Sequence, residues 1–276
     1  MDLDRAEKPL RQMRKLLKRM AEDPAPEQVH RLRTRARRIE AIAGALGAVD
    51  APATKRLLKA IKPLRKAAGS VRDRDVLAAN LLGMPRAESR ESLVKLEEHL
   101  GATRKANADR LTAVIDRQRK KTRRALKSYG CMLEAAAAGK KPVQREAAQT
   151  TDSKIGSASR AERLTNDLAR WPALNHRNLH DFRLKVKELR YVLQMCPGAD
   201  QRFVQALGKV KDQIGEWHDW EQLLAIARAA LDARADRELL QLIEAASRRK
   251  FTQALDGANT LRQNFLSGSA QEQRRA

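Results

Sequence analysis

Leu10, Met13, Leu17 and Met20 recur every three or four residues, the spacing that lines up side chains on one face of an α-helix. The pattern predicts a first helix over 3–22, closed by the turn Asp23-Pro24-Ala25-Pro26. A second is predicted over 27–46, with Val29, Leu32, Ile39 and Leu46 as its apolar stripe, and a third over 54–68. Gly69-Ser70 predicts a break or kink before a helical stretch over 71–82, which Gly83-Met84-Pro85 ends. Residues 88–138 predict one or two long helices, interrupted near Ser128-Tyr129-Gly130. Residues 139–159 are rich in Ser, Thr, Gly and Gln and lack periodicity, so they are expected to link two halves. Helical patterns resume over 160–170, 174–195, 200–226 and 234–265, and 268–276 is expected to be disordered. The reading is one duplicated domain, with a first helical half over 1–138, a linker over 139–159, a second half over 160–267 and a tail.

Composition agrees with an all-α class. Aromatic residues are only 3% of the 276, Gly and Pro are few, and Ala, Leu, Lys, Arg and Glu dominate. The formal charge of +23 goes far beyond what keeps a protein dispersed, and it implies a polyanionic partner. Two cysteines, Cys131 and Cys196, cannot form a disulfide framework and lack metal-ligand spacing, so both are read as small apolar residues in a reducing compartment. The amino terminus has no apolar segment of signal-peptide type, and no stretch approaches the ~18 apolar residues that cross a bilayer. The expectation is a cytoplasmic protein with no membrane partner.

Sliding the sequence by 150 positions lays Val29-His30-Arg31-Leu32-Arg33 over Leu179-His180-Asp181-Phe182-Arg183. Register continues as Arg35 falls on Lys185, Arg37 on Lys187, Ile39 on Leu189 and Ile42 on Val192. A second match, at a slightly different offset, pairs the segment from Gly69 to Asp75 with that from Gly215 to Glu221. Two matches in one order indicate a duplicated helical hairpin. At about 100° per residue, His30, Arg33 and Arg37 fall within roughly 60° of one another and form a cationic wall beside the buried stripe. His180, Arg183 and Lys187 repeat that wall, Tyr191 extends it and Arg190 flanks it. Arg65 and Arg72 share a face, as do Lys211 and His218, with Gly69 and Gly215 alongside, where an anion or another backbone could come close. Arginine forks, lysine point charges and a histidine favoured as the cation all suit phosphate, and a helix amino terminus adds to the attraction.

Each residue also has a plainer reading. The histidines could cap or fill between helices, and Arg37 and Lys187 could be a solvated face. Lys8, Arg11, Lys15, Lys62 and Tyr191 are weaker binding candidates, and the stripe Arg117, Lys120, Arg124 and Lys127 is equally read as generic positive surface. Asp73, Asp75, Asp219 and Glu221 could hold Mg²⁺ or act as paired carboxylates, although caps and structural ion pairs explain them better. Trp171, Trp217 and Trp220 are read as core or interface more readily than as base-stacking platforms.

The segments VHRLRTRARRIEA (29–41), GSVRDRDVL (69–77), LHDFRLKVKELRYVL (179–193) and IGEWHDWEQLL (214–224) make the chain resemble the CHAD family, the conserved histidine α-helical domain. That resemblance implies two four-helix bundles related by pseudo-twofold symmetry, with a central basic pore that binds inorganic polyphosphate. Carried over position by position, it marks His30, Arg33, Arg37, Arg65, Arg72, His180, Arg183, Lys187, Arg190, Lys211 and His218 as ligand contacts. Glu188 departs from the pattern where a second basic residue is common, and Trp217-His218 replaces the more usual Leu-Asn. Many relatives carry a CYTH triphosphate-processing domain; the expectation here is a stand-alone module.

The leading functional reading is therefore a non-catalytic module for inorganic polyphosphate, with no cofactor and no metal, that could also sit on polyphosphate granules. A phosphoanhydride-processing enzyme using histidines or a carboxylate-held metal is the alternative, against which stand the missing P-loop, Ser/His/Asp arrangement and dense acidic cluster. Nucleic acid is the third reading and only as a non-specific partner, since aromatic platforms and recognisable binding motifs are lacking.

Overall fold

A computed structural model describes residues 3–20, 24–45, 51–84, 90–137, 150–196 and 198–266. All regular structure among them is helical: α1 (Leu3–Arg19), α2 (Pro26–Ala45), α3 (Pro52–Leu82), α4 (Arg90–Ala137), α5 (Thr150–Ala169), α6 (Leu179–Met195), α7 (Gln201–Ala230) and α8 (Arg237–Leu261), which runs into a π-helical turn, Arg262–Leu266. No helix among the described residues is long and apolar enough to cross a membrane.

Several boundaries differ from the sequence reading. Residues 69–70 do not break the chain, and α3 continues through them for 31 residues. A helical glycine costs only about 1 kcal/mol, less than the packing of a long amphipathic helix returns. Likewise α4 passes through Ser128-Tyr129-Gly130 as one element of 48 residues. The expected linker becomes helical from Thr150 onward, where α5 begins, and its earlier part lies outside the described residues together with Leu46 and the 268–276 tail. In the other direction, α6 starts at Leu179 and not at Leu174. There the Asn178 side chain accepts from the Asn175 N–H and donates to the Ala173 carbonyl, both at 2.9 Å, and the Asn175 side chain accepts from the Arg177 N–H at 2.8 Å. Such local side-chain bonds compete with helix. Asp200 caps α7 by accepting from the Arg202 N–H.

By their contacts the residues fall into two units, Met1–Gly83 with Glu97–Ala148, and Met84–Leu96 with Gln149–Ala276. In the first, the stripes Leu10, Met13, Leu17 of α1, Val29, Leu32, Ala36, Ile39 of α2, Leu57, Ile61, Leu64 of α3 and Leu111, Ile115, Leu126 of α4 form one buried core. Cys131, expected to be apolar filler, is exposed; it lies about 200° from Tyr129 and from Leu133, on the outer side of α4. Tyr129 is fully buried, its hydroxyl has no hydrogen-bond partner, and burial raises its pKa. An unsatisfied buried hydroxyl is costly, so Tyr129→Phe is expected to stabilise the protein by about 1 kcal/mol, read as a higher urea midpoint at unchanged slope. The sign with pH follows: a phenol whose folded pKa is raised keeps its native contribution below about pH 10 and loses it as pH climbs, so the variant should lack that alkaline decline.

In the second unit, Leu179, Phe182, Val186 and Leu189 of α6 pack against Leu207, Ile214 and Trp217 of α7 and Ala254, Ala258 and Leu261 of α8. The Arg262 guanidinium donates to the carbonyls of Ala169 (3.3 Å) and Trp171 (2.6 Å), satisfying acceptors left over where α5 ends. Residues 84–96 belong here because Ser92 Oγ donates to the buried Asp236 carboxylate at 2.6 Å. That bond, then the Asp232 backbone N–H, lowers the Asp236 pKa.

Candidate functional site

In the first unit, α2 and α3 lie side by side, and Arg33 of α2 comes near Arg37 on its own helix and Arg65 and Arg72 on the next. Arg33 is the centre. Its guanidinium is partly buried, and its pKa is lowered first by that burial and then by Arg37, with Arg72 and Arg65 adding further repulsion and Asp73 opposing it. Asp73 is a loose partner at 3.9 Å, and Arg65 donates to Glu40 at 2.8 Å. His30 is exposed on the second turn of α2, its Nε2 3.5 Å from the Thr34 hydroxyl. Gly69 faces Arg33: a methyl added there would sit 3.7 Å from Arg33 Nε.

The second unit repeats the arrangement on α6 and α7. His180, the second residue of α6, stands with its ring 4.9 Å from that of His218, and its Nδ1 is buried with no hydrogen-bond partner. Arg183 donates from Nε to the Lys211 carbonyl at 3.1 Å and lies across Gly215, where an added methyl would come within 2.9 Å of its guanidinium. One heptad on, Arg190 lies across Gly208 with its Nε buried and unpartnered. Lys187 sits 5.9 Å above the Tyr191 ring, and Lys211 pairs with Asp212. Each glycine therefore receives an arginine from the neighbouring helix on the side where the sequence left room for a close approach.

The same constellation, a histidine near a helix start with an arginine three residues on seated over a glycine of the next helix, occurs in both units. Residues 4–228 match the CHAD domain family. The chain belongs to that family. The fold of this CHAD domain is also similar to the crystal structure of the CHAD domain from the plant Ricinus communis, at TM-score 0.62 and 21% identity over 95% of this chain and 89% of that one. No match was found among curated proteins.

Within the CHAD chain, the structure brings Arg33 near Arg37, Arg65 and Arg72, and His180 near His218, and of the weaker candidates Tyr191 lies beneath Lys187. Lys62 is exposed about one turn before Arg65, Lys8 and Lys15 are exposed on α1, and Arg11 is held along its own helix by Glu7 at 2.9 Å. Two of the four acidic candidates have close partners within the fold. Asp75 is buried and accepts from Arg104 Nε at 2.8 Å, and Glu221 accepts from Ser247 Oγ at 2.6 Å. Among the described residues, no three His, Cys, Asp or Glu side chains come together to hold a metal. Trp217 is buried, in edge contact with His176, and Trp171 meets Phe182 edge-on, so neither offers a free platform. Sequence reasoning missed Gly208 and the acids Glu40 and Asp212; only the Gly208/Gly215 spacing, matched to Arg190/Arg183, was a usable signal.

Proposed function

We propose that this CHAD domain binds inorganic polyphosphate without turning it over, through the His-Arg-Lys faces of both units. The observation that carries the reading is the crowding at Arg33: a part-buried guanidinium ringed by Arg37, Arg65 and Arg72 is unfavourable on its own and becomes favourable beside condensed phosphate. The arginine seats over Gly69, Gly208 and Gly215 hold the forks in defined positions, which lowers the entropy lost on binding. Membership of the CHAD family supports the same ligand class, and the pore that the resemblance implies would put both faces on one polymer. Multivalent contact then releases counterions, so affinity falls with salt and with chain shortening. The module is expected to act in the cytoplasm, on free polymer or on granules.

A titration with polyphosphates of graded length at fixed salt tests this. Affinity per site should climb steeply with length; equal affinity for tripolyphosphate and long polymer would sink the two-face mechanism. Sustained phosphate release by pure protein, abolished by His30→Ala or His180→Ala, would replace binding by hydrolysis.

Gly215→Ala offers a subtler check. A helical Gly→Ala change adds up to about 1 kcal/mol, but here the methyl pushes Arg183 off the Lys211 carbonyl, losing a bond of similar worth. Stability should stay within about 1 kcal/mol of the parent while polyphosphate affinity drops several-fold. Gly69→Ala, where the contact is an ordinary 3.7 Å, should leave affinity unchanged in the same calorimetric titration.

A further inference from the structure

The first unit carries a second concentration of positive charge that the His-Arg face does not use. Arg117, Lys120, Lys121 and Arg124 follow one another at i, i+3, i+4 and i+7, so they share one side of α4. With Arg56 of α3 opposite, they line a groove of about 520 Å³. Its lining is five cations, two alanines and a serine, with no carboxylate and no aromatic ring. Arg117, Lys120, Lys121 and Arg124 are exposed and make no ion pair among the described residues, whereas Arg33 and Arg65 do. Arg56 is steadied by its Nε–H bond to the Pro52 carbonyl at 3.1 Å.

Position on α3 separates this groove from the face already described. Arg56 and Arg65 are nine residues apart, or about 180° around the helix, and Arg56 and Arg72 are about 160° apart. The groove also takes in Ala53, in the first turn of α3, a turn with no side-chain cap. Its unshared N–H groups and the dipole's positive end add to the field of the five cations.

We propose that this groove is a separate binding site for a compact, multiply phosphorylated anion. Its volume is that of a small-molecule site, five cations with no carboxylate in the lining call for several negative charges in a small space, and the lack of aromatic lining gives nucleic-acid bases nothing to stack on. Short condensed phosphate and phosphorylated cyclitols share this chemistry.

The test uses the full chain carrying Arg33→Glu and Arg183→Glu, which silences the faces assigned to long polymer, and titrates it calorimetrically with tripolyphosphate and, separately, with inositol hexakisphosphate. At least one should still bind, and which one does names the source. Adding Lys120→Ala and Arg124→Ala should weaken that binding at least about tenfold, and Arg56→Gln, on the other wall, should weaken it several-fold, with thermal unfolding unchanged because all three side chains are exposed. No binding of either anion, binding indifferent to the α4 pair, or equal competition by a single-stranded oligonucleotide of matched charge would overturn the site. The polyphosphate reading is judged apart from this, by loss of long-polymer binding in the Arg33→Glu, Arg183→Glu protein.

Discussion

Reversing the charge of Arg33 and Arg183 together is expected to weaken binding of long polyphosphate by at least about a hundredfold at physiological salt, with helical content by circular dichroism unchanged. Each substitution removes a fork and places a carboxylate where phosphate would lie, so attraction becomes repulsion at the middle of each face. The slope of log affinity against log salt should shrink as well, since fewer counterions are displaced. Folding should survive. In the first unit, the carboxylate introduced by Arg33→Glu would meet Arg37, Arg65 and Arg72, exchanging like-charge crowding for attraction. In the second, the loss includes the 3.1 Å bond to the Lys211 carbonyl, worth about 1 kcal/mol. A double variant that folds and binds long polymer as the parent does would end the proposal.

Arg104→Ala should produce the largest loss of stability, about 3–5 kcal/mol by urea unfolding. Arg104 donates at 2.8 Å to Asp75, whose side chain is only 4% exposed, and its other arm reaches the Pro24 carbonyl at 2.9 Å. Truncation leaves a carboxylate buried without its partner, a far costlier state than losing the pair altogether. Replacing both, as Asp75→Leu with Arg104→Met, should accordingly recover most of the loss. This pair of results separates the structural role of Asp75 from the metal or catalytic one that its pairing with Asp73 also suggested. A catalytic carboxylate would show little stability change in Asp75→Asn and a large change in phosphate release.

The helices were legible because apolar residues at Leu10, Met13, Leu17 and at Val29, Leu32, Ile39 mark a buried side whatever lies against it. The repeat was legible too, since His30/Arg33 and His180/Arg183 keep both class and order. Gly69 misled the reading because a local propensity was weighed without the tertiary packing that overrides it. The first half of α5 was hidden because it is rich in Ser and Thr and carries no apolar rhythm, whereas its second half was read as helix over 160–170. The ion pairs Arg65–Glu40 and Arg104–Asp75 depend on how neighbouring helices slide past one another, and periodicity along one helix says nothing of that. The groove was half visible as a basic stripe on α4, but Arg56 lies far upstream of that stripe, and only folding brings them opposite.

The bond from Ser92 to Asp236 bears on any attempt to express the two repeats separately. Cutting the polypeptide at the apparent seam near residues 139–159 would strand the strip 84–96 with the wrong fragment, so the carboxy-terminal piece would expose a hole beside Asp236 and lose its link to Ser92 and Lys95. The second unit thus owns a stretch that lies within the first half of the sequence, and dissection into halves calls for a piece beginning before Met84 or for co-expression of overlapping ones.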